Sequence, residues 1–391
     1  MMKPQHPHAM LPQLTHDERA RQTFISSLQA YIGQHLSPGL HQVYEERVKP
    51  EFEQQHQRPP QQRHEIRRAM QEESTYQWWS ALRRTTQELM WDALLTSADF
   101  QLDDLAARYH QVVAAAPAPA MGSLTIPPDF TVPAYQKAVD IHCMPGSYHS
   151  EASTDDVTAG ALYDRGVYLY TQGRLGTLND ALGQVLIHNY LQPRHPALNP
   201  SRILELGCSV GHSLLPYVDT YPAAEIHGID VAAPMLRYGH ARAVALGKPV
   251  HFSQQQAEQT TFAEQSFDLI VSHIFLHEIP SFAVHRCFKE CYRLLTPGGL
   301  MVHLEAPFYQ DIDLFRAFLL DWETANNNEP FWSEVRDLDL SAIATTAGFT
   351  PESQERTVVS AQIPAQGLPM PQLQGQGMGG RGTWHIFAAR K

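Results

Sequence analysis

From residue 201 onward, short apolar runs alternate with stretches of helical period. Residues 203–206, 225–229, 249–252, 267–271 and 299–304 read as strands. Residues 211–220, 234–245 and 282–295 between them read as helices. Strand–helix alternation implies right-handed crossovers and a parallel sheet covered on both faces. The end of the chain differs. Residues 357–361 and 383–389 are two strand-like runs joined by a Gly/Pro/Gln-rich loop, 364–382, with no helix between, so an antiparallel hairpin is expected at one edge.

Residues 1–115 read as a polar helical region. Within 76–95, Trp79, Leu82, Thr86, Met90 and Ala93 form one stripe at helical spacing, as a core-facing side would. Residues 114–133 hold five prolines among small residues, so a linker is expected over 116–133. Residues 134–200 are expected to form a helical lid over the alternating domain, 201–391.

The most informative segment is Ile203-Leu204-Glu205-Leu206-Gly207-Cys208-Ser209-Val210-Gly211. An apolar strand ends in a carboxylate, then a small-residue turn, then a helix start. Such a turn lets backbone approach a nucleotide-like ligand closely. The next strand ends in Asp230, where a carboxylate can take both hydroxyls of a ribose. Together these elements resemble motifs I and II of class I S-adenosylmethionine-dependent methyltransferases, small-molecule type. The turn does not suit a dinucleotide, because Ser209 and His212 stand where a pyrophosphate fingerprint needs glycine.

The resemblance implies an α/β fold with a Rossmann-like class I methyltransferase sheet, mostly parallel with an antiparallel C-terminal hairpin, behind an N-terminal helical domain. It implies S-adenosylmethionine as cofactor and S-adenosylhomocysteine as product. It assigns cofactor contacts to Glu205, Gly207, Cys208, Ser209, Gly211, Asp230, Val231 and Met235. After the third strand, Gln256-Ala257-Glu258 is similar to the family's segment that meets the adenine, with Gln256 replacing its leading acid. Ser272, at the end of the fourth strand, is added to the set.

A methyltransferase must align its acceptor and remove a proton if the acceptor atom holds one. Histidine suits that task near neutral pH. His273 and His277 follow the fourth strand, and His277 precedes Glu278. This run resembles small-molecule O-methyltransferases with a dimerisation domain, where a histidine followed by an acid takes the proton from the hydroxyl. For His277 two roles stay open, a proton acceptor or a hydrogen bond within the fold. Tyr148, Tyr163, Tyr170 and His149 are candidate acceptor contacts. His142, Cys143 and His149 could join His273 or His277 at the cleft mouth, but a metal site needs three or four convergent ligands and sequence cannot show convergence, so no metal is expected.

Composition narrows the partners. The net charge of −12 disfavours nucleic acid. A local basic run, Arg58, Arg63, Arg67 and Arg68, lies among acids and reads as a solvated helix face. Four cysteines without a CxxC pattern suggest neither a disulfide framework nor a zinc knuckle. No secretory leader or membrane-length apolar run is visible, so a cytoplasmic protein is the expectation. The expected activity is methyl transfer to O, N or C of a small molecule, in a biosynthetic setting, with a homodimer left open. The alternatives are a peptide or protein methyltransferase and an inactive cofactor-binding partner protein.

Overall fold

Among the described residues, eight strands form one sheet: β1 (Gly122–Thr125), β2 (Arg202–Leu206), β3 (Glu225–Asp230), β4 (Val250–Gln254), β5 (Phe267–His273), β6 (Leu295–Glu305), β7 (Gln354–Ser360) and β8 (Thr383–Arg390). The computed structural model describes residues 4–116, 121–363 and 382–391. The sheet order is β1-β4-β3-β2-β5-β6-β8-β7. Every neighbouring pair is parallel except those of β8, which runs antiparallel to both β6 and β7. The fold is therefore the expected mostly parallel sheet with a C-terminal hairpin; the loop expected over 364–382 lies outside the described residues except for Gly382.

Ile203, Leu204 and Leu206 of β2 and Leu269, Ile270 and Val271 of β5 are fully buried. These near-continuous apolar runs suit strands covered on both faces rather than on one. Strand order reverses between β2 and β5, so the crossovers change side there. The C-terminal ends of these strands open a crevice at that point.

The stretch read as a linker does more than connect. Its residues 122–125 form β1, which pairs in parallel with β4 and extends the sheet. Residues 117–120 lie outside the described ones. The proline content signalled irregular chain, but edge strands tolerate prolines beside them.

The N-terminal region packs onto this sheet domain. Its longest helix, Ser74–Asp99, buries Trp79, Thr86, Met90 and Ala93, four members of the expected stripe. Trp79 Nε1 donates to Ser37 Oγ at 2.8 Å, which satisfies a buried indole. Trp91 and Leu94 of the same helix join a cluster with Leu162 of the segment before the sheet domain and with Met235 and Tyr238 of the domain itself. The basic run is not simply a solvated face. Arg63 pairs with Asp337 at 2.7 Å, and Arg67 pairs with the buried Asp321. No described helix is long and apolar enough to cross a membrane.

Candidate active site

The crevice beyond β2 and β5 has a cavity volume of about 150 Å³ and opens to solvent. One end of it is built by the turn after β2. Gly207, Ser209 and Gly211 have φ of 64°, 47° and 77°. A Cβ on Gly207 would lie 2.2 Å from the Phe275 ring, so only glycine fits there. Ser209 takes the left-handed backbone without glycine's freedom, and Asp230 Oδ2 holds it by accepting from Ser209 N–H at 3.0 Å.

Asp230 Oδ1 accepts from Ala232 N–H at 2.9 Å. Each oxygen keeps further acceptor capacity. Burial raises the Asp230 pKa to about 6, against the lowering effect of these backbone donors. Glu205 is buried at the end of β2. Its Oε1 meets His273 Nδ1 at 2.6 Å, and its Oε2 has no hydrogen-bond partner. Burial raises its pKa, with His273 opposing.

The other end is built around the turn after β5. Ile274 has φ of 48°, which is unusual for a β-branched residue and costs on the order of 1–2 kcal/mol. The turn brings Phe275 over Gly207 and returns His277 toward β6. Glu305, the last residue of β6, fixes it with both oxygens. Oε1 accepts from Leu276 N–H at 2.6 Å, and Oε2 meets His277 Nδ1 at 2.9 Å. Arg336 backs the pair, 3.7 Å from Glu305 Oε2. With Nδ1–H donated to Glu305, the lone pair of neutral His277 sits on Nε2, which has no hydrogen-bond partner. Burial pushes the His277 pKa down, but Glu305 and Glu329 more than offset it, and the net shift is upward.

His273 differs. Its Nδ1 is taken by Glu205, and its Nε2 lies 3.2 Å from Tyr217 Oη. Neither nitrogen is left to take a proton from a ligand, so His273 positions Glu205 rather than acting as a base.

Most residues expected at the site do wall the crevice: Glu205, Gly207, Cys208, Ser209, Asp230, Val231, Met235, Ala257, Glu258, His273 and His277, with Tyr148, Tyr163 and Tyr170. Four others do not. Gly211 packs behind the turn, where a Cβ would meet Phe252 at 3.1 Å. Gln256 turns outward toward Thr131 O, and Gln255 takes its place on the wall. Ser272 is buried and meets His303 Nδ1 at 2.7 Å, because strand alternation turns it away from the opening. His149 lies outside the wall. Sequence reasoning missed Gln87 and Trp91, which reach the wall from the helix Ser74–Asp99. It also missed Glu329, which is buried 3.9 Å from His277 Nε2. The one signal for Glu329 was a carboxylate in a polar loop flanked by aromatic residues.

Residues 203–299 match the family model described as "Methyltransferase domain". The demethylmenaquinone methyltransferase of Thermus thermophilus is 33% identical over 108 residues, covering 28% of this chain and 48% of that one. The malonyl-[acyl-carrier protein] O-methyltransferase of Methylococcus capsulatus is 34% identical over 109 residues, covering 27% and 38%. Among solved structures, a phosphoethanolamine N-methyltransferase of Haemonchus contortus, in complex with S-adenosylhomocysteine, superposes with a TM-score of 0.43 at 17% identity, covering 58% of each chain. The chain spans at most about half the length of the first curated relatives that it matches. The shared segment holds the turn after β2, Asp230 and the β5 turn, and it identifies this chain as carrying a class I S-adenosylmethionine-dependent methyltransferase domain.

Proposed function

We propose that the chain transfers a methyl group from S-adenosylmethionine to a hydroxyl of a small, largely aromatic acceptor, with His277 as the proton acceptor. The observation that carries this reading is the His277–Glu305 pair: Nδ1 is fixed at 2.9 Å, while Nε2 is buried without a hydrogen-bond partner, in a side chain that lines the crevice.

The residues fit the cofactor. Gly207 and Ser209 leave a cradle that a Cβ at Gly207 would disrupt. Glu205 Oε2 is a buried acceptor without a partner, suited to a cationic amino group. Asp230 has acceptor capacity for ribose hydroxyls, and Met235 supplies an apolar surface for a base. When bound, S-adenosylmethionine supplies an activated methyl group on a sulfonium sulfur.

The chain's own residues then do three things. Tyr148, Tyr163, Tyr170 and Trp91 offer an aromatic wall to the acceptor. His277 Nε2 would take the hydroxyl proton as the acceptor oxygen is methylated. Glu305 stabilises the imidazolium so formed, and the proton later passes to solvent. Positioned proton transfer of this kind contributes about 10²–10⁴-fold. A hydroxyl acceptor is favoured because a base held this way serves an atom that must lose a proton. A small acceptor is favoured because the helix Ser74–Asp99 adds Gln87 and Trp91 to the crevice wall and narrows it.

The test is to incubate the protein with methyl-labelled S-adenosylmethionine and a panel of phenols and enols, wild type beside His277→Ala. Label transfer by wild type alone, with cofactor binding in both, supports the reading. Equal transfer by both proteins would refute His277 as the base. Cofactor binding without transfer to any hydroxyl acceptor, but with transfer to amines, would refute the acceptor class.

A further inference from the structure

Beside the base, the crevice holds a second group of donors. His142 and Cys143 have φ of 55° and 59°, a backbone that side-chain-bearing residues rarely adopt. The N-terminal helix holds this turn: Gln87 Nε2 and Trp91 Nε1 both donate to the His142 carbonyl, at 3.0 and 2.7 Å. From the facing loop, Asn328 Nδ2 donates to Asp140 O at 3.0 Å, and Asn328 is itself left-handed, at φ 51°. These contacts place the His142 imidazole between two carboxylates. Nε2 lies 3.3 Å from Glu278 Oε1, and Nδ1 lies 3.1 Å from Glu329 Oε1. One ligand atom from each of the three residues falls within 4.8 Å of the others.

A second, independent observation points to a ligand. His277 Nε2 and Glu329 Oε2 face each other at 3.9 Å, in side chains only 1% exposed, and neither has a hydrogen-bond partner. Glu278 Oε2 is likewise unpartnered. With His277 neutral and its proton on Nδ1, neither of the two facing atoms supplies a donor to the other. Arg336 is engaged elsewhere: its Nη1 donates to the carbonyls of Ala306 and Pro307, and its Nη2 lies 3.5 Å from His277 Nδ1 and 3.7 Å from Glu305 Oε2. Leaving several buried acceptors unmade costs about 1–3 kcal/mol each, so an arrangement of this sort calls for a cationic or donor-rich occupant.

We propose that His142, Glu278 and Glu329 form a binding site for one divalent first-row transition-metal cation. One imidazole and two carboxylates are a mixed N/O set, which favours zinc, manganese, iron or cobalt over calcium or magnesium. Asn327 holds the ring and one carboxylate from outside this set: its Nδ2 lies 2.9 Å from His142 Nδ1 and donates to Glu329 Oε1 at 3.4 Å, the kind of outer contact that orients metal ligands. Glu329 Oε2 and Glu278 then turn to the ion. An acceptor oxygen bound to it beside His277 would lose its proton more readily. The proposal rests on the donor set and not on the methyl-transfer reading, so it is measured by metal binding and not by turnover.

The experiment uses the full chain, stripped with chelator and dialysed. Zn(II) and Mn(II) are titrated calorimetrically, and Co(II) by its visible absorption, with wild type beside His142→Asn and Glu329→Gln. The expected result is one tight equivalent for wild type and affinity lower by at least about tenfold in each variant. Spin-echo modulation from a directly bound imidazole should appear in the Mn(II)-loaded wild type; this arm holds even where a variant fails to fold. No tight equivalent of any of the three ions in the folded wild type would overturn the site. So would missing nitrogen modulation, or folded variants that bind as wild type does. S-Adenosylmethionine binding, followed in parallel, is expected to persist in the stripped protein; its loss alone would count against the methyl-transfer reading and leave the metal result standing.

Discussion

His277 Nδ1 lies 2.9 Å from Glu305 Oε2, and both side chains are shut away from solvent, at 1% and 2% exposure. They come from different strands' ends: Glu305 closes β6, and His277 is returned to it by the left-handed turn at Ile274. If the pair is the proton-accepting unit, His277→Ala should lower kcat by about 10²–10⁴-fold and leave cofactor affinity near wild type. Glu305→Gln should also lower kcat, because its amide N–H₂ would confront one of two donors, the Leu276 N–H or the histidine ring. Stopped assays of S-adenosylhomocysteine formation, with cofactor affinity by calorimetry, check both. Turnover retained in folded His277→Ala would remove it from the chemistry.

His273 is expected to behave differently, since both its nitrogens are engaged, by Glu205 at 2.6 Å and by Tyr217 at 3.2 Å. His273→Gln should loosen Glu205 and therefore weaken S-adenosylmethionine binding. The rate at saturating cofactor should change little. A bond to a charged group is worth about 1.5–3 kcal/mol, so the weakening should be roughly tenfold or more. Separate measurement of kcat and of KM for the cofactor decides it: a fall confined to kcat would reassign His273 to the chemistry.

The pH dependence of cofactor binding follows from Asp230. Burial holds its pKa at about 6, above the usual carboxylate value of 3.8. The folded, ligand-free protein therefore keeps a proton there that the unfolded chain loses between those values. The cost in folding stability accrues as pH rises from about 3.8 to about 6 and is constant above that. Ribose hydroxyls need that ionised form as acceptor. S-Adenosylmethionine affinity should be full above pH 6 and fall by up to about tenfold for each pH unit below it. Asp230→Asn should bind more weakly at neutral pH and lose this dependence. Binding isotherms between pH 5 and 8 test it; an unchanged slope in the variant would place the titrating group elsewhere.

The sequence was most legible where one local pattern determined the structure. The turn after β2 could be read because strand, carboxylate and small residues stand side by side in the chain, and the apolar runs of β2 and β5 admit no half-exposed strand. Legibility failed where neighbours in space are far apart in sequence. Glu329 meets His277 across 52 residues, as the two numbers show, and Trp91 meets His142 from a helix with its own core stripe. Ser272 and Gln256 failed for a different reason. Each sits one residue from a wall residue, and in a strand or its continuation that shift turns a side chain to the other face. β1 was hidden by the prolines around it.

Asp164 binds the N-terminal segment to the domain, and its loss should be felt as stability. It is fully buried and accepts from Tyr238 Oη at 2.9 Å; His212 Nε2 lies 2.8 Å away, His8 Nε2 3.0 Å, and Arg242 Nε 3.5 Å. Gln5 and Asn179 add amide donors at 3.0 and 3.2 Å. Burial alone would raise its pKa, but Arg242, His212 and His8 overcome that and hold it well below the usual carboxylate range. Asp164→Ala leaves Arg242 buried without its counter-charge, which costs about 3–5 kcal/mol. Because the folded pKa is depressed, the carboxylate's contribution is complete above the unfolded value of about 3.8 and is lost only as pH falls further, through the folded value. The gap between wild type and variant in denaturant midpoint should therefore stay constant from pH 8 to pH 5 and narrow only in stronger acid. His212 stacks on Tyr163 at the crevice wall, so the variant should also bind S-adenosylmethionine more weakly. A gap that instead shrank as pH rose from 5 to 8 would mean that the protonated histidines, and not Asp164 with Arg242, carry the stabilisation.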